Sequence, residues 1–137
     1  MLGHVDFASI NYISVLVAAV LAFGVGSIWY GKPLFANTWM KEVGLTEEQI
    51  QQGNMGMIFG GTFVMSFIAM LFLDIFIGQE AGALVGALHG AIIAAVFIGT
   101  SLASNYLFSQ RSTKLFLIDA GYDVVRYALA GAVLGAW

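Results

Sequence analysis

The chain has 137 residues, enough for one domain. Five Lys or Arg and eight Asp or Glu make up only 9% of it, whereas a soluble globular domain carries about 25% charged residues. With 60% hydrophobic residues, 17 Gly and a mean hydropathy of +0.89, the chain lacks the polar groups to cover a water-facing surface. The composition therefore predicts an integral membrane protein whose partner is the lipid bilayer.

Several function classes are excluded at this point. The chain has no cysteine, which excludes disulfides, thiol chemistry, iron–sulfur clusters and cysteine–zinc sites. A net charge of −3 gives no basic face, so we expect no nucleic-acid partner. His4 and His89 are the only two histidines; they cannot form a metal site alone, although they could join carboxylates in one, and we expect neither cofactor nor metal. No nucleophile and base pair is visible, so we do not expect an enzyme.

Uncharged runs of the chain define the membrane segments. About 20 helical residues cross the hydrocarbon core of a bilayer. The uncharged runs 7–31, 49–73 and 81–110 predict transmembrane helices at about 10–30, 54–77 and 82–105. A fourth is predicted at about 114–136, since the residues on both sides of its three charges are apolar. We expect an all-α membrane protein, a compact bundle of four transmembrane helices forming one domain over residues 1–137.

The basic residues predict the orientation of the bundle. Four crossings place the segments 31–53 and 106–114 on the same side, and these contain Lys32, Lys41, Arg111 and Lys114. The positive-inside rule makes that side cytoplasmic, so both termini are expected outside. The first helix lacks a basic start and is too long for a secretory signal, so we expect it to remain in the mature protein.

The segment 31–53 is expected to lie in the membrane interface. Pro33 should end the first helix between Trp29 and Gly31, because a residue before proline avoids the α region. Apolar residues then recur at helical spacing, which predicts a short interfacial helix. Thr46 and Gln49 fit a capping box, which predicts that the second helix begins there, before the membrane, with a break or kink near Gly53 and Asn54. Four aromatic residues are expected as interfacial anchors: Trp29, Tyr30, Trp39 and Trp137.

Small residues recur every four positions along the predicted helices. The clearest sets are Gly82, Gly86 and Gly90 in the third helix and Gly131 and Gly135 in the fourth. In lipid, close backbone approach at such ridges provides packing energy between helices. Two interpretations stay open: tight packing within one bundle, or an interface between copies in a homo-oligomer.

The fourth helix carries three charges on one narrow stripe. At about 100° per residue, Asp119, Asp123 and Arg126 fall within about 60° of arc. Arg126 lies too deep to reach either interface easily, so it must face protein or water and be paired, with Asp123 as the obvious partner. The stripe is interpreted either as an ion pair that fixes helix register, as part of an ion or proton pathway, or as a polar ligand or lipid-headgroup site.

A second polar pair is predicted in the opposite leaflet. His89 lies about 10 Å from the outer end of the third helix at about 1.5 Å per residue. Asp74 lies about one turn from the outer end of the second helix. We expect either an Asp74–His89 pair, which would be a titratable site, or a histidine bonded to a backbone carbonyl or serine.

Several stretches resemble one known family. In the first half these are Trp29, Tyr30 and Gly31, followed by Pro33, Leu34 and Phe35, then Trp39 and Met40, and then the run 44–48. In the second half they are Asn105 to Phe108, Lys114 to Tyr122 and Gly131 to Trp137. They resemble the bacterial membrane-protein family catalogued as domain of unknown function 1761. The resemblance implies a small four-helix protein of the bacterial inner membrane, and its motif positions correspond here to Asn105, Asp119, Gly121 and Tyr122.

Two functions are weighed from the sequence. The first is a homo-oligomeric permease or channel for an ion or small solute, its pathway lined by polar residues of the third and fourth helices: Asp119, Asp123, Arg126, Tyr122, His89 and Asn105. The second is a non-catalytic scaffold or accessory subunit that docks through its glycine ridges onto itself or onto another membrane protein.

Overall fold

A computed structural model describes residues 6–78 and 80–137, so His4 lies outside the described residues. The described part consists of helices and loops without any strand. The helices are α1 (Tyr12–Trp29), α2 (Ala36–Val43), α3 (Glu47–Gln51), α4 (Met55–Ile77), α5 (Ala83–Ile93), α6 (Gly99–Phe108) and α7 (Thr113–Ala136). A π-helical stretch, Ala94–Ile98, joins α5 to α6 in one continuous rod.

Side-chain caps begin three of the long helices, α1, α4 and α7. The Asn11 side chain accepts from the backbone N–H groups of Ile13 and Ser14 at the start of α1. Asn54 and Ser112 cap α4 and α7 in the same way. Each cap satisfies backbone donors that have no partner within the helix.

The ends of the first helix and of the short helices after it agree with the sequence signals. The first helix ends at Trp29, within the range expected from Pro33. The predicted capping box is also confirmed: the Thr46 side chain accepts from the backbone of Gln49, whose side chain accepts from the backbone of Thr46. A short helix over 36–43 precedes it and ends at Gly44, which has the left-handed conformation that favours glycine.

Three helical segments are long and apolar enough to cross a membrane. They are Tyr12–Trp29, Met55–Ile77 and the rod Ala83–Phe108. The fourth long helix, α7, has 24 residues but is not among them, because every membrane-length stretch of it contains Asp119, Asp123 and Arg126. Length alone would let α7 span about 36 Å at about 1.5 Å per residue.

The core lies between α1, the second half of α4 and the second half of α7. Its members are Val15, Ala18, Ala19 and Ala22 of α1, Met70, Leu73 and Ile77 of α4, Ala94, and Tyr127, Ala130 and Leu134 of α7. The first half of α4 is different, since Gly56 and Gly60 are exposed and Met57 is 73% exposed. The first half of α4 contacts α1 through Phe59 and Phe63, whose rings lie 5.9 and 6.2 Å from that of Phe23, but it leaves a groove beside α7.

Glycines bring α5 and α7 into backbone contact. A Cβ on Gly86 would lie well inside van der Waals contact with the carbonyl of Gly131, and the reverse holds for Gly131 and Gly86. Gly135 meets Gly82 in the same way, and the Gly82 N–H donates to the Gly135 carbonyl at 2.8 Å. Gly90 lies against the Tyr127 carbonyl. The five predicted glycines thus pack within one chain, which is the first of the two interpretations.

The short helices α2 and α3 lie at the end where α1 finishes and α7 begins. Phe35 packs on Trp29 with ring centroids 5.1 Å apart, and Trp39 packs on Tyr30 at 5.8 Å. Glu42 of α2 accepts a 2.5 Å hydrogen bond from the Ser112 hydroxyl. The segments before α4 and before α7 are therefore neighbours at one end of the bundle.

Candidate functional site

Asp119 is held by two tyrosines from two other parts of the fold. The hydroxyl of Tyr30, directly after α1, donates to Asp119 Oδ1 at 2.6 Å. The hydroxyl of Tyr106, near the end of α6, donates to Asp119 Oδ2. Burial, followed by the hydrogen bond to Asp119, raises the pKa of Tyr30 above its ordinary value. The carboxylate thereby ties α1, α6 and α7 together at the end where α2 lies.

The backbone around Asp119 is fixed by a second set of contacts with α1. The indole Nε1 of Trp29 donates to the Ile118 carbonyl at 2.9 Å, and a Cβ on Gly121 would lie 3.1 Å from the same indole. The Tyr122 hydroxyl donates to the Ala22 carbonyl at 3.0 Å. Glycine at 121 thus admits the Trp29 ring, and the two aromatic side chains set how α1 and α7 lie together.

The predicted anchors divide into two groups. The polar atoms of Trp29 and Tyr30 are bonded to α7, so these side chains join helices within the chain. Trp39 is partly buried against the Tyr30 ring. Trp137, at the end of α7, is 56% exposed. Their position relative to a lipid surface stays a prediction.

Arg126 pairs with Asp123, as its i−3 spacing predicts. Nε and Nη2 of Arg126 lie 3.0 and 2.9 Å from Oδ1 of Asp123. The two side chains are only 18% and 14% exposed. The guanidinium carbon also lies 5.0 Å from the ring centroids of Tyr122 and Tyr127. The charged pair and the two rings therefore form one cluster on α7, about 10 Å along the helix from Asp119 at about 1.5 Å per residue.

A groove between α4 and α7 opens onto this cluster. Its volume is about 480 Å³. It is lined by Met57, Ile58, Gly61, Thr62, Met65 and Ser66 of α4 and by Tyr122 and Arg126 of α7. The lining of α4 starts in the first turn, at Met57, and continues to Ser66 at mid-helix. The groove thus connects the end of the bundle where α4 starts with the Arg126 guanidinium.

Other predicted site residues do not join this cluster. Asn105 is exposed, and its side chain makes no hydrogen bond within residues 6–78 and 80–137. His89 is exposed as well, and Asp74 is partly buried. No hydrogen bond or ion pair joins Asp74 to His89 in the described structure. Nor do any three acidic or histidine side chains among the described residues lie close enough to hold a metal ion.

The sequence reasoning missed the donors that complete the site. Tyr106 lies in one of the stretches that resemble the family, but nothing in its spacing predicts a contact with Asp119, and the position of Tyr30 predicts only an anchor. Thr62 and Ser66 were overlooked in the apolar run of α4, where their i, i+4 spacing puts both hydroxyls on one face. A hydroxyl pair on one face of a membrane-length helix was the available signal.

The geometry can be set beside known proteins. No curated protein and no solved structure matches the chain. The family described as Protein of unknown function (DUF1761) matches residues 13–135, which include the Asp119 cluster, the ion pair and the groove. Because the match covers nearly the whole sequence, the chain belongs to the DUF1761 family.

Proposed function

We propose that the protein crosses the cytoplasmic membrane of a bacterium four times, with α7 as the fourth transmembrane helix. The length of α7 supports this, and so does the internal pairing of its charges. Asp119 accepts from two tyrosines, and Asp123 pairs with Arg126. Charged groups within a membrane require such partners, because an unpaired charge there costs several kcal/mol.

The proposed orientation has α2 and α3 in the cytoplasmic interface and both termini outside. The hydrogen bond between Glu42 and Ser112 supports placing the segment before α4 and the loop before α7 on one side. Lys32, Lys41, Arg111 and Lys114 all belong to these two segments, which the positive-inside rule assigns to the cytoplasm.

The function we propose is that of a non-enzymatic permease for a small solute. This proposal rests on the groove, which leads from the beginning of α4 to the Arg126–Asp123 pair in the middle of α7. In the proposed orientation it is open toward the cytoplasm. The half of the bundle that faces outside in this orientation is closed by buried side chains, including Met70, Leu73 and Leu134. We therefore propose that the complete pathway belongs to a homo-oligomer, in which a second copy covers the groove.

A specific observation also favours an alternative, an accessory subunit of a larger membrane complex. A Cβ on Gly60 would meet no atom within 4 Å, and a Cβ on Gly56 would meet only the side chain of Asn54. Among the residues that the structure describes, no helix packs on this small-residue stripe in the first half of α4. In the alternative, another membrane protein occupies it.

The test separates the two functions before any solute is chosen. The protein is released from its own membranes with native lipid and its mass is measured by native mass spectrometry. A defined homo-oligomer supports the permease, whereas a stoichiometric complex with a different protein supports the accessory subunit. Gly60→Leu should abolish the assembly that uses the α4 stripe. Gly24→Leu is the matched control, because Gly24 is an exposed helical glycine at which an added Cβ would meet no atom of another element within 4 Å.

A further inference from the structure

The groove between α4 and α7 contains more hydrogen-bond donors than the chain itself uses. Both contacts of Arg126 with Asp123 go to one carboxylate oxygen. A guanidinium has five N–H donors. Among the described residues Arg126 contacts Asp123 twice and has a further hydrogen-bonding interaction with the Tyr122 side chain, which leaves donors over. In a low-dielectric environment such donors require an acceptor. The groove is the space in which that acceptor can lie.

Ser66 provides an independent sign of a missing ligand. The residue is 2% exposed and lines the groove beside Arg126. Its hydroxyl makes no hydrogen bond to any residue that the structure describes, although serine in a helix commonly donates to the carbonyl one turn back. Thr62, one turn earlier on the same face, lines the groove too. A buried hydroxyl without a protein partner is unusual, and it points to an occupant of the groove.

The charges around the groove select against ions. Arg126 is the charged residue on its wall and opposes cations. The Asp123 carboxylate already balances the charge of Arg126, so an anion in the groove would meet no net positive charge. The lining of α4 carries no charge. A neutral molecule with acceptor oxygens satisfies the free donors without adding a buried charge.

We infer that the groove binds small uncharged molecules with hydrogen-bond-accepting oxygens, the class of polyols and amides. Arg126 donates to the ligand oxygen, and Ser66 and Thr62 contribute hydroxyls from the opposite wall. The methionine and isoleucine side chains contact its carbon atoms. A volume of about 480 Å³ lies within the range of small-molecule sites. This inference rests on the proposed permease function and specifies its substrate class.

The test uses the full-length protein in proteoliposomes and glycerol and urea as probes. Uptake is followed by stopped-flow light scattering, and fluxes of potassium and chloride are measured on the same preparation. Gly61→Leu places a side chain into the groove, where a Cβ meets no atom within 4 Å, so the fold accommodates it. Gly24→Leu makes the same change on an exposed face of α1. Ser66→Ala removes one donor, and Ser27→Ala, at an exposed serine bonded to the Phe23 carbonyl, is its control.

We expect protein-dependent uptake of glycerol and urea that Gly61→Leu abolishes and Ser66→Ala lowers about fivefold. Both control variants should behave as the unmodified protein, and neither ion should pass. Passage of potassium or chloride without glycerol or urea would overturn the substrate class and leave the permease standing. Glycerol uptake insensitive to Gly61→Leu would overturn the assignment to this groove alone. Absence of every flux would overturn the permease together with this inference.

Discussion

The hydroxyl of Tyr30 donates to Asp119 at 2.6 Å, although 89 positions separate the two residues in the chain. Tyr106 donates to the other oxygen of the same carboxylate. One side chain on α7 thus holds the residue that follows α1 and a residue near the end of α6. At this end of the bundle the helices are joined by hydrogen bonds, whereas at the opposite end they are joined by glycine contacts.

Removing either tyrosine hydroxyl should destabilise the protein. Tyr30→Phe and Tyr106→Phe each take a donor from a carboxylate, which costs about 1.5–3 kcal/mol for a hydrogen bond to a charged group. The free energy of unfolding is measured by denaturant titration in mixed micelles. Tyr12→Phe is the matched control, because its exposed hydroxyl donates to the Phe7 carbonyl near the start of α1. An equal loss of unfolding free energy in Tyr12→Phe would show that the hydrogen bonds to Asp119 stabilise the protein no more than an exposed hydrogen bond does.

Stability should fall at alkaline pH through Tyr30. Its pKa is raised in the folded protein, first by burial and then by the hydrogen bond to Asp119. The folded state therefore holds the hydroxyl proton more tightly than the unfolded chain, in which a tyrosine titrates near pH 10. This contribution is complete below about pH 10 and is lost above it, by up to about 1.4 kcal/mol per pH unit. Unfolding measured from pH 8 to pH 11 should show a smaller alkaline decline in Tyr30→Phe than in the unmodified protein.

The backbone contact between α5 and α7 should not tolerate a methyl group. Gly131→Ala would push a Cβ into the Gly86 carbonyl, so the two helices must separate, at a cost of about 1–3 kcal/mol. Thermal unfolding in detergent measures the loss. Gly24→Ala adds the same atom in open space and should be neutral or slightly stabilising, because alanine favours the helix. Equal effects of the two substitutions would show that the glycine contact adds nothing to stability.

Arg126 and Asp123 should be energetically coupled. Arg126→Gln or Asp123→Asn alone leaves a partly buried charge without its partner, whereas the double variant leaves none. We expect a coupling energy of about 1–3 kcal/mol in a double-mutant cycle. Leu117→Ala, at a side chain that is 62% exposed on the same helix, is combined with each variant as a control and should be additive. An additive cycle for the charged pair would show that Arg126 finds its stabilisation elsewhere.

The proposed topology can be tested directly because the chain contains no cysteine. Ser109→Cys lies in the loop before α7 and Trp137→Cys at the end of α7, and both positions are exposed. A membrane-impermeant maleimide applied to intact spheroplasts should label the cysteine at 137 and spare the one at 109. Both should react after permeabilisation. The reverse labelling pattern would show that the orientation is the opposite of the proposed one. Labelling of both cysteines in intact spheroplasts would place both positions outside.

Much of the fold follows from local sequence signals. These signals act within one helix or turn, so they can be recognised without knowledge of the tertiary contacts. They are the runs of apolar residues, Pro33 and the Thr46–Gln49 capping box. The pairing of Arg126 with Asp123 belongs to this class, since both residues lie on α7 three positions apart. The sequence also predicts the i, i+4 glycine ridges, but it does not predict that the ridges of α5 and α7 pack on each other.

The rest of the site depends on contacts between distant parts of the chain. The sequence places Asp119 beside Asp123 on one stripe, yet its hydrogen bonds come from Tyr30 and Tyr106, which only the packing of α1 and α6 brings near. Asn105 is next to Tyr106 in the chain, but helical rotation turns its side chain away from the cluster. Which of two adjacent polar residues faces inward is set by the neighbouring helices, and composition does not reveal it.

The glycine contact between α5 and α7 also affects which parts of the bundle can move. Backbone atoms have no rotamers, so a pair of helices joined through them cannot readjust by side-chain reorientation and behaves as a rigid unit. By contrast, α4 is buried only at Ser66, Met70, Leu73 and Ile77, in its second half. A change in the width of the groove would therefore move the first half of α4, together with its Phe59 and Phe63 contacts to Phe23 of α1, against the paired α5 and α7.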